Sequence, residues 1–149
     1  MQLRVYLDTS VVSALLDDRT PDRQGLTREF FEHLDDYEAV TSELAKEELG
    51  LTPDPARLAE FQQILGRLEI APVTAEMRAL AMKYLAAGIF GPGQFQDALH
   101  VAAAVSLRCD LLVSWNFRHL VNRRRRALVN GVNVSLGLPS MEIVAPPEV

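Results

Sequence analysis

The sequence is poor in the residues that build disulfides, thiolate metal sites and membrane spans. It has a single cysteine, Cys109, so neither an intrachain disulfide nor a metal site built from several cysteines can form. No apolar run approaches the ~20 residues of a membrane-spanning helix. The first ten residues lack both the basic start and the small-residue cleavage site of a signal peptide. These absences predict a cytoplasmic protein without a membrane segment, and Cys109, in an apolar stretch, is expected to be buried.

Acidic residues are missing from positions 111–140, although the whole chain carries a net charge of −5. Eleven Asp and Glu residues lie between Asp22 and Glu60, whereas five of the fifteen Lys and Arg residues lie between Arg118 and Arg126. The total charge therefore gives no sign of nucleic-acid binding, but the basic cluster offers local positive charge. Two interpretations of the cluster stay open: a solvated helix face, or contacts with phosphate groups or an acidic partner.

Hydrophobic residues make up 48% of the 149 residues, which is enough for one domain, residues 1–149, with a core of its own. Periodicity and turn residues predict strands at 3–7, 38–41, 69–72, 111–114 and 141–144. Between them they predict helices at 11–16, 26–34, 43–49, from 55 onward, and at 75–87, 94–107 and 123–136. This alternation is typical of the α/β class, with a mainly parallel sheet of four to five strands and helices on both faces.

An aspartate follows the first apolar run, at the end of the stretch Val5-Tyr6-Leu7-Asp8. Because Thr9 and Ser10 can cap a helix that follows, Asp8 is predicted at the carboxyl end of a parallel strand. Open α/β sheets bind their ligands at that edge. The alternative role for Asp8 is that of a helix cap.

Two further carboxylates fall on apolar helix faces. Glu48 lies near the middle of the apolar side of the helix that follows Ser42, its expected N-cap, and Asp97 heads an apolar stripe in the helix 94–107. A buried carboxylate is unfavourable unless it is paired or bound to a metal. The alternatives are a buried arginine partner for Glu48 and a helix-dipole role for Asp97, with His100, one turn on, as its hydrogen-bond partner.

The three acids are expected to share one edge of the sheet, because one ends a strand and two begin helices. Carboxylates that converge there repel one another unless a cation holds them. Oxygen ligands without cysteine favour Mg²⁺ or Mn²⁺. The sequence therefore predicts that Asp8, Glu48 and Asp97 bind one of these ions.

Four motifs in order make the sequence similar to the PIN-domain ribonucleases, of the kind that act as toxins in type II toxin–antitoxin pairs. They are Tyr6-Leu7-Asp8-Thr9-Ser10, the pattern Ser42-x5-Glu48-Leu49, the helix start Asp97-Ala98-Leu99-His100, and the segment 110–116 that ends in Ser114-Trp115-Asn116. The resemblance covers nearly the whole chain. It implies a three-layer α/β/α sandwich and metal-dependent cleavage of RNA.

The resemblance assigns the acidic site to Asp8, Glu48 and Asp97, with Asn116 at a fourth position where the family often has Asp. It also implies a small antitoxin partner and a homodimer. We expect Ser10, Ser114 and His100 to orient the carboxylates or water. Asp110 is acidic too, but it begins its strand at the opposite end and is expected to be structural.

Arginines after the last motif are candidates for RNA binding, namely Arg118, Arg123, Arg124, Arg125 and Arg126. Trp115 and Phe117 can stack on bases, although core packing is expected for at least one of them. Two other functions stay open. One is an inactive RNA-binding module of the same fold, because Asn116 lacks the charge of an acid. The other is a phosphatase of the haloacid dehalogenase type, in which Ser10 stands where that chemistry usually has a second Asp.

Overall fold

A computed structural model describes residues 2–149 and contains, within them, five strands and seven α-helices. The strands are β1 (Arg4–Leu7), β2 (Glu38–Ser42), β3 (Glu69–Ala71), β4 (Leu111–Val113) and β5 (Glu142–Val144). The helices are α1 (Thr9–Leu15), α2 (Pro21–Glu32), α3 (Glu43–Gly50), α4 (Pro55–Leu65), α5 (Ala75–Ala86), α6 (Phe95–Ser106) and α7 (Arg123–Ser135). Short 3-10 turns follow α2, precede α6 and follow β5.

All strand pairs are parallel, and the order across the sheet is β3-β2-β1-β4-β5. The predicted α/β class and three-layer sandwich are confirmed. The first strand lies in the centre, where Tyr6 pairs with Val40 of β2 and with Leu112 of β4. Because both neighbours and both faces cover it, Val5, Tyr6 and Leu7 are fully buried, as their continuous apolar run predicts.

The most enclosed helix is α6. Eight consecutive residues, from Ala98 to Val105, are buried, so this helix has no solvent-facing side over two turns. Small side chains, four of them alanines, allow it to lie close against α5 and the sheet. Asp97 precedes the enclosed stretch by one residue, which puts this acid where the helix emerges from the core.

Three details of the predicted elements are wrong. The cap of α1 is Asp8 rather than Thr9 or Ser10, because the Asp8 carboxylate already accepts a hydrogen bond from the Val11 amide. The loop predicted at 17–24 contains the start of α2, which begins at Pro21. Ser42 occupies the N-cap position of α3 without capping it, since its hydroxyl bonds to Tyr6 instead.

The amino-terminal ends of the strands carry structural polar groups. Asp110 accepts a hydrogen bond from the Arg4 amide at 2.8 Å, far from the carboxyl edge, in agreement with its predicted structural role. The Arg4 side chain donates to Leu107 O at 2.9 Å and to Glu69 at 3.1 Å. Cys109 is buried as predicted, and burial raises the pKa of its thiol to about 12, so it is not a reactive thiolate at neutral pH.

No helix within residues 2–149 combines the length and the apolar character that crossing a bilayer requires.

Candidate active site

The carboxyl edge of the sheet brings together the four predicted site residues. Asp8 directly follows β1, and Asn116 follows β4, the neighbouring strand. Glu48 lies in the second turn of α3, which begins where β2 ends, and Asp97 lies in the first turn of α6. Hydrogen bonds link these elements pairwise, so the side chains are held as one polar surface at this edge.

Asp8 is the deepest of the acids, with 4% of its surface exposed. One carboxylate oxygen accepts from the Ser10 hydroxyl at 2.5 Å and from the Val11 amide at 3.3 Å, and the other accepts from the Ser114 hydroxyl at 2.5 Å. Burial nevertheless raises the pKa of Asp8, although His100 and these donors act in the opposite direction. Ser10 and Ser114 therefore each hold one oxygen of this carboxylate.

Glu48 is half-buried and has two partners on one oxygen. Thr9 donates its hydroxyl to Oε1 at 2.8 Å, and the His100 ring nitrogen Nε2 lies 2.7 Å from the same atom. Burial raises the pKa of Glu48, but the hydrogen bond and the charge of His100, together with Thr9, outweigh it and hold that pKa below its usual range. The carboxylate is thus ionised and fixed in direction at neutral pH.

His100 bonds to Glu48 rather than to Asp97, so the predicted contact one turn back along α6 is wrong. The ring is buried, and its other nitrogen, Nδ1, lies 2.8 Å from the Tyr6 hydroxyl, which in turn lies 2.7 Å from the Ser42 hydroxyl. A chain of hydrogen bonds therefore runs from the centre of the sheet to Glu48. It fixes the ring plane of His100 and the position of the carboxylate that the ring contacts.

Asp97 is the acid with the weakest protein contacts. It is half-buried, and its hydrogen-bond partner is the Asn116 amide nitrogen at 3.4 Å. Burial raises its pKa, His119, His100 and Arg125 lower it, and repulsion by Glu48 raises it. With one hydrogen bond to residues 2–149, at 3.4 Å, Asp97 is the carboxylate that the protein itself holds least.

Asn116 is oriented by three contacts. Its side-chain oxygen accepts from the His119 amide at 2.9 Å, and its own backbone amide donates to the Ser114 hydroxyl at 2.9 Å. Because the side-chain oxygen of Asn116 accepts from His119, its side-chain nitrogen points to Asp97. An aspartate at this position has no donor to offer, so the asparagine supplies a hydrogen bond where the family pattern often supplies a charge.

The donor set suits a hard divalent cation. Asp8, Glu48 and Asp97 offer carboxylate oxygens, which Mg²⁺ and Mn²⁺ prefer, and no Lys or Arg of residues 2–149 forms an ion pair with them. Over the same residues, no three His, Cys, Asp or Glu side chains are grouped closely enough to hold a metal ion. An ion at this edge would therefore use one or two protein carboxylates, with water and substrate oxygens as its other ligands, as Mg²⁺ commonly does.

The five candidate arginines divide between solvent and a cavity beside the acidic edge. Arg123 is exposed, whereas Arg118, Arg124 and Arg125 line the cavity, and Arg126 is half-buried at the base of α7. The guanidinium of Arg125 lies 4.5 Å from the centre of the Phe90 ring and donates to Gln94 Oε1 at 3.3 Å. The four consecutive arginines of α7 therefore do not all face one way, as expected for a helix.

Trp115 and Phe117 separate into a core residue and a surface residue. Trp115 is 7% exposed and donates its indole N–H to Thr27 at 2.9 Å, which makes it a packing residue. Phe117 is 47% exposed and stays available for stacking on a base. The expectation that at least one of them packs in the core is confirmed.

Two polar residues of this edge are not found by pattern alone. Tyr6 reads as part of an apolar strand, and Thr9 reads as a helix cap, yet Tyr6 orients His100 and Thr9 orients Glu48. The signal in the sequence was that both side chains carry a hydroxyl close to the junction of β1 and α1. Their partners come from α6 and α3, and the sequence spacing does not reveal those contacts.

A family model described as the PIN domain matches residues 5–144. Comparison with curated protein sequences gives no match. Among solved structures, the chain is similar to VapBC from Salmonella typhimurium bound to DNA, with a TM-score of 0.65, 17% identity, and 97% of this chain and 99% of that chain covered.

Two other structures are similar over comparable lengths. FitAcB from Neisseria gonorrhoeae has a TM-score of 0.63 and 13% identity, over 97% of this chain and 99% of that chain. VapBC2 from Rickettsia felis, bound to a DNA fragment from its promoter, has a TM-score of 0.58 and 14% identity, over 96% of this chain and 98% of that chain. At these identities the likeness establishes the fold.

Proposed function

The chain belongs to the PIN-domain family, and on that premise we propose that it is a metal-dependent endoribonuclease that hydrolyses RNA phosphodiester bonds at the carboxyl edge of its sheet. Proteins of this family are generally nucleases and usually use divalent metals. The observation that carries the proposal is Asp97: a half-buried carboxylate at the carboxyl edge whose hydrogen-bond partner, within residues 2–149, is a single amide. A buried charge of this kind is suited to a cation.

Each carboxylate has a distinct role in the proposed mechanism. One or two of Asp8, Glu48 and Asp97 would hold each Mg²⁺ or Mn²⁺ ion, with water and phosphate oxygens as its other ligands. The ion would supply an activated water and neutralise charge on the phosphate oxygens. Ser10 and Ser114 fix the direction of the Asp8 carboxylate from either side.

The remaining groups keep Glu48 and Asp97 in position. His100 and Thr9 hold one Glu48 oxygen, which leaves the other oxygen free to orient the attacking water. Asn116 donates to Asp97 and so keeps that carboxylate turned toward the site. This arrangement is preorganised, because each side chain is held by a second group that does not react.

Substrate attraction falls to the basic residues beside the site, namely Arg118, Arg123, Arg124, Arg125 and Arg126. They lie in the acid-free segment 111–140 and give an otherwise acidic protein a positive region for a polyanion. Phe117, exposed next to Asn116, is positioned to stack on a base.

The biological role that we propose is that of a toxin in a type II toxin–antitoxin pair, acting as a homodimer in the cytoplasm. Support comes from the fold, which is shared with VapBC from Salmonella typhimurium and FitAcB from Neisseria gonorrhoeae. A small antitoxin that covers the acidic edge would keep such a nuclease inactive.

The decisive experiment is cleavage of a mixed RNA pool by the purified protein with Mn²⁺, with Mg²⁺ and with EDTA. We expect cleavage with either metal, none with EDTA, and none in Asp97→Asn. The matched control is Glu47→Gln, which neutralises an exposed acid one position from Glu48 and should cleave like the wild type.

Two results would overturn the proposal. Cleavage that persists in EDTA or in Asp97→Asn would exclude a carboxylate–metal mechanism. A folded protein that binds RNA without cleaving it under any metal would instead be an RNA-binding module of the same fold, and Asn116→Asp would then be the variant to test for recovered activity.

A further inference from the structure

A cavity of about 360 Å³ lies between the turn after α5 and the first two turns of α7. Three guanidinium groups line it, those of Arg118, Arg124 and Arg125, together with Asn122 and Leu128 and the chain at 88–89. Of the residues that the structure describes, no Asp or Glu lines this cavity. We call it the arginine cavity.

The positive charges of the arginine cavity are not neutralised by the protein. Within residues 2–149, none of the three arginines forms an ion pair with a carboxylate. Arg125 is held by neutral groups, since Gln94 accepts its hydrogen bond and Phe90 lies under its guanidinium plane. The cavity therefore concentrates positive charge and hydrogen-bond donors, with the Arg125 side chain held in place by its two neutral contacts.

The arginine cavity adjoins the acidic edge. Asp97 and Arg125 attract one another electrostatically, while Arg125 and its neighbour Arg124 repel one another. Arg125 also donates to Gln94, the residue directly before α6, and Asp97 lies in the first turn of that helix. A ligand that reaches from a cation at the acidic edge to the arginine cavity must carry negative charge at more than one point, as an oligonucleotide backbone does.

Resting on the proposed ribonuclease function, we infer that the arginine cavity binds a backbone phosphate of the RNA strand next to the phosphate that is cleaved. Guanidinium groups match phosphate oxygens in pairs, and three of them around one cavity provide more donors than a single phosphate needs. The first turn of α7, capped by Asn122, adds backbone dipole of the favourable sign.

The arginine cavity distinguishes arginines that look equivalent in the sequence, because only some of them line it. Arg124 lines the cavity, whereas Arg123, next to it in the same helix turn and likewise exposed, does not. Both substitutions to alanine remove one charge from the same helix terminus. Arg123→Ala is therefore the matched control for Arg124→Ala.

The test measures binding of a fluorescently labelled single-stranded RNA by anisotropy, in EDTA to prevent cleavage, over a series of NaCl concentrations. For Arg124→Ala we expect the slope of log Kd against log[NaCl] to fall by about 0.7, the value for one phosphate contact on a single strand. For Arg118→Ala combined with Arg124→Ala we expect a fall of about 1.4, and for Arg123→Ala a smaller fall than for Arg124→Ala.

Equal slope changes in Arg123→Ala and Arg124→Ala would overturn the inference, because they would indicate a diffuse positive surface. Displacement of the RNA by a polyglutamate peptide at equal charge concentration would overturn it in favour of an acidic protein segment. The proposed function is tested separately from this inference. If the salt dependence changes in Arg124→Ala but the protein never cleaves RNA, the phosphate site is supported and the nuclease function is excluded.

Discussion

Asp8 and Asp97 lie in surroundings that disfavour a negative charge. Burial raises the pKa of both groups, and neither has an ion-pair partner within residues 2–149. Glu48 differs, because His100 and Thr9 lower its pKa. In the absence of a cation, the two aspartates therefore work against folding at neutral pH, whereas Glu48 supports it.

Asp97→Asn should raise the melting temperature of the metal-free protein at pH 7 while it abolishes cleavage. The asparagine keeps an oxygen acceptor for Asn116 and removes a charge that burial disfavours. Because Asp97 is only half-buried, we expect a rise of about 1–2 °C. Calorimetry in EDTA measures it, and a fall in melting temperature would contradict the argument.

The difference should depend on pH in a defined direction. The pKa of Asp97 is higher in the folded than in the unfolded chain, so its contribution to stability falls as pH rises from about 3.8 through the folded pKa. The advantage of Asp97→Asn should therefore be absent at pH 3.5 and grow toward pH 7. Glu47→Gln, at an exposed position, should give a flat difference.

His100→Ala should destabilise the fold as well as misplace Glu48. The ring is buried and bonds to Tyr6 and Glu48, so its removal leaves a cavity and deprives two polar groups of a partner. We expect a loss of about 2–3 kcal/mol in the free energy of unfolding, measured by urea denaturation. His33→Ala, on an exposed histidine, should change it by less than about 0.5 kcal/mol.

The residues of the site were largely predictable, but their contacts were not. Asp8, Glu48 and Asp97 were identifiable because each carboxylate interrupts an apolar pattern. The partner of His100 was predicted wrongly, since spacing along α6 favours Asp97, whereas in the fold the ring bonds to Glu48 of α3. Contacts between elements depend on packing that a sequence pattern does not specify.

At the scale of elements, the positive charges in the first turn of α7 interact unfavourably with the dipole of that helix. This turn contains Arg123, Arg124 and Arg125 and no acidic residue, although negative charge is favourable at a helix amino terminus. Asn122 compensates in part, because its side chain accepts a hydrogen bond from the Arg125 amide at 2.8 Å. A charge arrangement that disfavours the helix is consistent with a role in binding an anion.

Arg124→Glu should therefore stabilise the protein and weaken RNA binding together. We expect a gain of about 0.5 kcal/mol in the free energy of unfolding at low salt, reduced at 1 M NaCl because salt screens the helix dipole. Chemical denaturation at both salt concentrations measures it. Arg124→Gln, which removes the charge without reversing it, should gain less, and a loss in both variants would contradict the dipole argument.

Element types and order were predictable, whereas several boundaries and caps were not. Strand–helix alternation and buried apolar runs predicted the architecture. The start of α2 at Pro21 was missed because the surrounding residues are polar and read as a loop. Asp8 caps α1, which was the alternative left open for it, whereas Ser42 does not cap α3, because its hydroxyl bonds to Tyr6.

At the scale of the whole molecule, charge is separated rather than balanced. A protein of net charge −5 repels RNA on average, while the acid-free segment 111–140 attracts it. We expect the second-order rate constant for RNA cleavage to fall steeply between 50 and 200 mM NaCl. Replacing Arg123–Arg126 together by alanine should flatten that dependence, and an unchanged slope would exclude these arginines from substrate attraction.

The buried indole at the carboxyl edge gives the molecule an intrinsic optical signal. Trp115 is the sole tryptophan of the chain, and its backbone amide bonds to Ser10, itself a donor to Asp8. The Arg23 guanidinium lies 4.9 Å from the indole ring. The backbone of the fluorescent residue is therefore linked to Asp8 by two hydrogen bonds, through Ser10. Binding of a cation or of a protein at this edge should alter the emission spectrum without any label.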